Sequence, residues 1–153
     1  MAWTTTPWTL PSNTALCVGP NITYVAVQSY NPYTGIPCTY VLAKDLLNAH
    51  FNPKAADVAL EDYKQGDKLV PFKVIGEAKG RELSDIHYEQ LIQWMSPGDG
   101  AFRVITGDFV TTEDGTGIVH IAPTFGADDA RVAKANGIPP MLLTDKDGNP
   151  RPM

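Results

Sequence analysis

A chain of 153 residues suits a single domain, able to bury roughly 68–70% of the surface its unfolded form exposes. Hydrophobic residues at 43% and charged residues at 19% place it among ordinary globular proteins and exclude a disordered or fibrous chain. Twelve basic residues against 17 acidic ones leave a formal charge of −5, which excludes a protein that grips nucleic acid broadly through its phosphates.

Thirteen glycines and 13 prolines favour turns over long helices, so the expected class is mainly β with short helices, an α+β domain. Met1-Ala2 reads as a start placed ahead of a fragment of a longer chain, with one domain expected over residues 1–153. The stretch Trp3-Thr4-Thr5-Thr6-Pro7-Trp8-Thr9-Leu10-Pro11-Ser12-Asn13 then sets three β-branched hydroxyl residues before a proline and a second indole. In a regular strand Thr4 and Thr6 face one way and Thr5 the other, so all three meet one ligand only where the backbone bends. Pro7 and Pro11 supply that irregularity, because neither donates to a sheet ladder. Taken alone, the same stretch also reads as an edge strand running into a Ser/Thr turn.

Residues 15–18 and 22–28 predict strands around the turn-forming Gly19-Pro20-Asn21, as a hairpin or a barrel corner. A loop over 31–35 and a strand at 39–41 lead to a helix over 43–51, where Leu46, Leu47 and His50 recur at helical spacing. His50 fits the end of that helix, where the dipole favours it, better than it fits a ligand role. Residues 52–68 read as an exposed loop or a short helix ending near Gly66-Asp67, and 69–75 as a strand broken near Gly76 and put near an edge by Pro71. Over 83–95 the residues Ile86, Leu91, Ile92 and Met95 give a weak helical pattern, with His87 as a surface or packing residue, before the turn at 97–100. A strand at 102–106 follows, then 109–112 and 118–121 as a hairpin about Glu113-Asp114-Gly115, with His120 near the end of the returning strand. A helix from Gly126, ended by Gly137, a last strand over 140–144 and a turn at 145–149 complete the chain.

Asp129 falls in the first turn of the helix after Gly126, where the dipole stabilises a carboxylate with or without a ligand. Such a fixed carboxylate also suits an ammonium group, held by a charge-assisted hydrogen bond. Asp128 projects about 100° away around the helix and should not share that ligand. Cys17 and Cys38 form no CxxC pair and have no histidines at ligand spacing, so free thiols and no metal are expected. Without a GxSxG elbow, a Ser-His-Asp set or a Cys-His pair, a generic esterase or a covalent intermediate is disfavoured. No apolar run reaches the about 18 residues of a membrane span, and a cytoplasmic location is expected.

The segment Asp114-Gly115-Thr116-Gly117-Ile118-Val119-His120-Ile121-Ala122-Pro123-Thr124-Phe125-Gly126-Ala127-Asp128-Asp129, taken with Trp3 to Asn13, resembles the two signature segments of an aminoacyl-tRNA synthetase insert. That insert is the editing domain, or connective polypeptide 1, of the isoleucyl-tRNA synthetases. Related valyl and leucyl domains typically carry arginine after two threonines, whereas this chain keeps Thr6 and continues Pro7-Trp8, the isoleucyl pattern. The resemblance implies a β-barrel-like editing domain of the valyl/leucyl/isoleucyl type. It places a threonine-rich substrate wall on Thr4, Thr5 and Thr6, with Trp8 and Asn13 lining the ligand or supporting the loop. His120 would border the aminoacyl pocket and limit the side chain admitted, and Asp129 would bind the amino group. As a strand residue without the motif, His120 reads equally as a buried structural histidine.

The implied reaction is hydrolysis of valine wrongly attached to isoleucine tRNA, by a positioned water, with misactivated valyl-adenylate as a second substrate. Its physical basis is that one methylene gives only about 1–3 kcal/mol of discrimination, a limit for which the isoleucyl-tRNA synthetases are themselves the standard illustration. No cofactor is implied for this site, ATP and Mg belonging to the synthetic site of the parent enzyme. The implied partners are the 3′ end of the valine-bearing tRNA and the other domains of the parent, the domain itself being a monomer. A non-catalytic β-barrel module that binds nucleotides or protein partners fits composition and strand pattern equally well.

Overall fold

The computed structural model describes residues 1–151. Among them the strands are β1 (Ala15–Val18), β2 (Thr23–Tyr30), β3 (Pro37–Ala43), β4 (Lys73–Lys79), β5 (Arg103–Thr106) and β6 (Ile118–Ile121), and the α-helices are α1 (Leu47–His50) and α2 (Ala127–Ala135). The expected mainly β, α+β class takes the form of two three-stranded sheets, ordered β5-β1-β6 and β3-β2-β4. Strand β1 is central because it is apolar on both faces: Ala15 and Cys17 pack with Ile105, Ile121 and Ala133 of α2, while Val18 packs with Tyr24, Ala43 and Ile118 between the sheets. It runs parallel to β5 and antiparallel to β6, opposing Leu16 to His120.

The turn at Gly19-Pro20-Asn21 is a corner, not a hairpin, since β1 and β2 enter different sheets. Strands β2 and β3 pair from Tyr24↔Ala43 to Tyr30↔Pro37. On the other side of β2, β4 runs through Gly76 rather than breaking there, with a bulge between Ala26 and Val27. It starts only at Lys73 because Phe72 turns inward to pack with Val25, Val27 and Leu42. As Pro71 implied, β4 is an edge strand.

Three expected elements are corrected. No hairpin joins 109–112 to 118–121: β6 pairs with β1 on one edge and meets only Trp3 on the other, among the described residues, and 109–112 enters no strand. The apolar residues Phe109 and Val110 pack into the core from a loop, which is why they resemble a strand in sequence. The weak helix over 83–95 does not form: its first part lies extended beside β5, with Asp85 N–H on Val104 O (2.9 Å) and Tyr88 N–H on Phe102 O (2.9 Å). Ile86 and Leu91 remain exposed, so no apolar helix face is there to be buried. The last strand over 140–144 reduces to an isolated bridge between Thr144 and Pro150, while Met141 alone is fully buried.

The two sheets are joined at one point by a phenol. Tyr24, buried on β2, accepts the Gly19 N–H at 2.9 Å and donates to Gly117 O at 2.5 Å, linking the β1–β2 corner to the loop that feeds β6. Gly117 has φ +74° and a Cβ there would lie 2.6 Å from the Cβ of Ala43, so only glycine fits. Tyr24→Phe keeps the packing but strands two backbone groups, and is expected to lower stability by about 1–3 kcal/mol. Urea unfolding measures it, and an unchanged midpoint would show that water replaces the phenol.

Candidate functional site

The Thr-rich stretch does bend. Trp3 makes a single parallel bridge to Val119 on the outer edge of β6, after which Thr4 Oγ1 accepts the Thr6 N–H at 3.1 Å and meets Thr6 Oγ1 at 3.3 Å. Such a local hydroxyl turn competes with sheet pairing and lifts the chain away from the strand. Pro7 then opens a 3-10 helix over Pro7–Ser12, its fixed φ suiting the first turn. Within it Thr9 Oγ1 donates to Thr6 O at 2.8 Å.

This 3-10 segment grips His120 from both sides. Thr9 Oγ1 lies 2.8 Å from His120 Nε2, and Asn13 Nδ2 lies 2.9 Å from His120 Nδ1. Asn13 Nδ2 also donates to Ala15 O at 2.9 Å, and Asn13 Oδ1 accepts from the Tyr88 hydroxyl at 2.5 Å, so the amide orientation is set by its surroundings. With a donor aimed at Nδ1, the imidazole proton belongs on Nε2, where it is given to Thr9 Oγ1, which in turn donates to Thr6 O. His120 is buried, and burial holds its pKa below the usual 6.5, opposed by the negative charge of Asp129. The ring is therefore neutral, with its one lone pair already occupied.

Asp129 closes the opposite side. One carboxylate oxygen, Oδ2, accepts the Ala122 N–H at 2.9 Å just past the end of β6, while Asp128 turns away to pair with Arg131 at 3.0 Å. Among the described residues no cation pairs with Asp129. Gly126 makes room for it, since a Cβ there would stand 3.2 Å from the carboxylate carbon.

These residues enclose a cavity of about 530 Å³ lined by Thr4, Thr5, Thr6, Trp8, His120 and Asp129, with Trp3, Thr9, Asp114, Val119, Ala122, Phe125 and Gly126 around them. The structure thus gathers Thr4, Thr5, Thr6, Trp8, His120 and Asp129, which lie up to 125 positions apart, into one site. Asn13 is placed behind the wall: it is buried and reaches the cavity only through His120. Thr9, Asp114 and Phe125 line the cavity without having been singled out. Thr9 had a legible signal, lying three residues after Thr6 as a 3-10 turn requires. His50 and His87 stand elsewhere, the first on Gly115 O at 2.5 Å from the end of α1 and the second exposed beside β5. Cys17 is fully buried, and burial followed by the charges of Asp129 and Asp108 pushes its thiol up to about 12, far from a reactive thiolate.

The fold has a solved counterpart in the crystal structure of GlLeuRS-CP1, which matches with a TM-score of 0.57 at 20% identity over 89% of this chain and 46% of that one. The architecture is therefore shared with that CP1 domain. By sequence the chain is 77% identical over its whole length to the isoleucine-tRNA ligase of Bacteroides fragilis and 68% identical to that of Porphyromonas gingivalis. It is 41% identical over 148 residues to that of Thermoplasma volcanium. No family model matches the chain. The chain belongs to the isoleucine-tRNA ligase family, of whose members it spans a segment, 13% of the length of the Bacteroides fragilis protein and 14% of the Porphyromonas gingivalis one.

The His120 environment gives a test in which the sign is fixed. A folded-state pKa below the unfolded value means that the unfolded chain binds the proton first, so acidification through and below about 6.5 must erode stability. Imidazole NMR should place the His120 midpoint below 6.5, and Asp129→Asn should lower it further by removing the opposing charge. A midpoint above 6.5 would mean that the ring is solvated or paired with a carboxylate.

Proposed function

We propose that the chain is the editing domain of an isoleucine-tRNA ligase and hydrolyses valine from misacylated isoleucine tRNA, with valyl-adenylate as a second substrate. The observation that carries this reading is the charge of the cavity: among its lining residues are two carboxylates, Asp114 and Asp129, and no lysine or arginine. Such a wall attracts an ammonium and repels phosphate, so the aminoacyl end enters rather than the RNA backbone. The second oxygen of Asp129 is the natural acceptor, Oδ2 being engaged by Ala122 N–H.

In this reading Thr4, Thr5 and Thr6 hold the terminal ribose and the attacking water, stiff β-branched side chains that lose little freedom on binding. Trp8, 69% exposed, and Phe125 offer aromatic faces at the rim for the terminal adenosine. His120 limits the depth of the pocket, so that the valyl side chain fits and the isoleucyl one does not. Attack by water on the ester carbonyl expels the ribose hydroxyl and leaves free valine, with the proton passing from water to that leaving oxygen. No general base is asked of His120, whose Nδ1 is taken. The reaction requires no cofactor or metal at this site, ATP and Mg serving the synthetic site of the parent enzyme. A cytoplasmic, monomeric domain over residues 1–153, working inside its parent, completes the proposal; among the described residues no helix is long and apolar enough to cross a membrane.

Asp129→Asn preserves an acceptor for Ala122 N–H and removes the charge. It is expected to weaken a valyl-adenosine mimic by about 1.5–3 kcal/mol, the range for hydrogen bonds to charged groups, and to spare the des-amino analogue. Calorimetric titration of both ligands decides it, equal losses removing Asp129 from the ammonium site.

A domain of formal charge −5 that touches only the end of its RNA gains little from counterion release. The isolated chain is therefore expected to deacylate valyl-tRNA slowly, to spare isoleucyl-tRNA and to show a shallow salt dependence. The other domains of the parent supply the effective concentration. Single-turnover deacylation across protein and salt concentrations tests this. A steep salt slope with tight tRNA binding contradicts it, and an intact ester at saturating domain favours a binding module.

A further inference from the structure

We infer that a second cavity, beside the sheet β3-β2-β4, binds the cytidine that precedes the terminal adenosine of the RNA, its base on aromatic rings and the linking phosphate beside Lys68. The identity of the RNA rests on the editing reading above; that the cavity takes a pyrimidine nucleotide is tested apart from it.

This cavity measures about 300 Å³, and Met1, Tyr30, Tyr40, His50, Phe51 and Lys68 are among its lining residues. Tyr30 ends β2, Tyr40 lies within β3 and Phe51 follows α1. The rings are braced before any ligand arrives. Tyr30 stacks on Tyr63 with centroids 4.5 Å apart and donates its hydroxyl to Leu60 O at 2.7 Å, while Phe51 packs on the buried Phe72 at 5.2 Å and tilts against Tyr40 at 5.8 Å. Rings fixed in this way lose little freedom when a base stacks on them, and every base has a face to offer.

The charge of this cavity is opposite to that of the threonine-lined one. Its lining residues include one lysine and no carboxylate, and among the described residues no acid pairs with Lys68. The threonine-lined cavity has Asp114 and Asp129 and no lysine or arginine. The two share a wall. Met1 lines the first and Trp3 the second, two residues and so about 7 Å of chain at most. Behind them His50 of the first cavity donates from Nε2 to Gly115 O at 2.5 Å, next to Asp114 of the second, and Thr116 Oγ1 donates to Met1 O at 2.9 Å. An aminoacylated RNA end carries an ammonium on one side of its last ribose and a phosphodiester on the other, so neighbouring cavities of opposite sign sort its two halves. With the ammonium on Asp129, the preceding nucleotide passes over the wall of Met1 and Trp3 to Lys68. One lysine adds one phosphate contact, which keeps the salt dependence shallow.

The probes are 3′-valylamido-3′-deoxyadenosine, whose amide resists hydrolysis, and the same nucleoside carrying a 5′-linked cytidine. In calorimetric titration the added cytidine should tighten binding about tenfold, within the range for one stacked base. Tyr40→Leu, which keeps an apolar contact for Phe51, should remove most of that gain. Lys68→Met, at an exposed position, should lower the salt slope of the cytidine-bearing probe by about 0.7, the value for one phosphate on a single strand. Both variants should bind the unextended nucleoside as the wild type does. An extension without gain, a gain that both variants keep, or equal losses for the two probes in Lys68→Met overturns the subsite. The dinucleotide CpC, which carries neither amino acid nor adenosine, supplies the independent arm. Added to the 15N-labelled chain, it should shift the amide signals of Tyr30, Tyr40, Phe51 and Lys68 and spare those of Thr6, Trp8 and Asp129. Shifts at the threonine-lined cavity instead, or none at all, also overturn it. Should the chain bind neither aminoacyl probe while CpC marks the aromatic rings, the editing reading falls and the pyrimidine nucleotide site stands.

Discussion

The site depends on one imidazole held at both nitrogens. Between Trp3 and Asn13 the backbone meets the sheet at the bridge to Val119, so the Thr9 and Asn13 bonds to His120, with Asn13 Nδ2 also on Ala15 O at 2.9 Å and Ile121 O at 3.4 Å, fasten the threonine wall to the sheet. Buried bonds of this kind contribute modestly when made and are costly when half broken, because the stranded partner has no water to turn to. The arrangement therefore favours one geometry sharply over its neighbours. In the function proposed above, the cavity separates side chains differing by one methylene and needs that sharpness, since soft walls would admit either.

Asp129 illustrates how the fold fixes a charge without cancelling it. The end of β6 and the start of α2 are only a few residues apart, and one carboxylate oxygen spans them by taking the Ala122 N–H. The helix dipole adds a favourable field at the same end, while the absence of a cationic neighbour among the described residues leaves the other oxygen free to act on a ligand. Strand end, helix start and charge are thus one structural unit. The same negative potential makes the cavity hostile to phosphate, and in a chain of formal charge −5 this leaves the amino acid end as the portion of the proposed substrate that fits.

The two motifs were legible because their chemistry is local: a threonine run that needs bending prolines, and a carboxylate in the first turn of a helix. The strands β1, β2, β3, β5 and β6 were legible for the same reason, each being a short apolar or alternating run. What failed was everything set by distant pairing. Phe109 and Val110 look like strand residues, yet they reach the core from a loop, their apolar side chains being buried by packing rather than by sheet pairing. Tyr88 had no signal at all, since its neighbours read as a weak helix and its partner Asn13 lies 75 positions away. Asn13 itself was visible as part of the motif, but only packing could place it behind His120 rather than in the cavity.

These placements bear on what kind of catalyst the proposed reaction could use. The thiol of Cys17 is buried and pushed up to about 12, which removes it as a nucleophile. His120 has its lone pair engaged by Asn13 and its pKa lowered by burial, which removes it as a base for water. Asp129 is required for the ammonium in the same reading, and a carboxylate neutralised by that contact is a poor proton acceptor. What remains is a rigid set of hydroxyl and backbone groups around a confined space, suited to holding a water and an ester in line rather than to moving protons for them. An activated ester demands comparatively little chemical assistance, so a site of this composition places its structural investment in choosing which ester reaches the water.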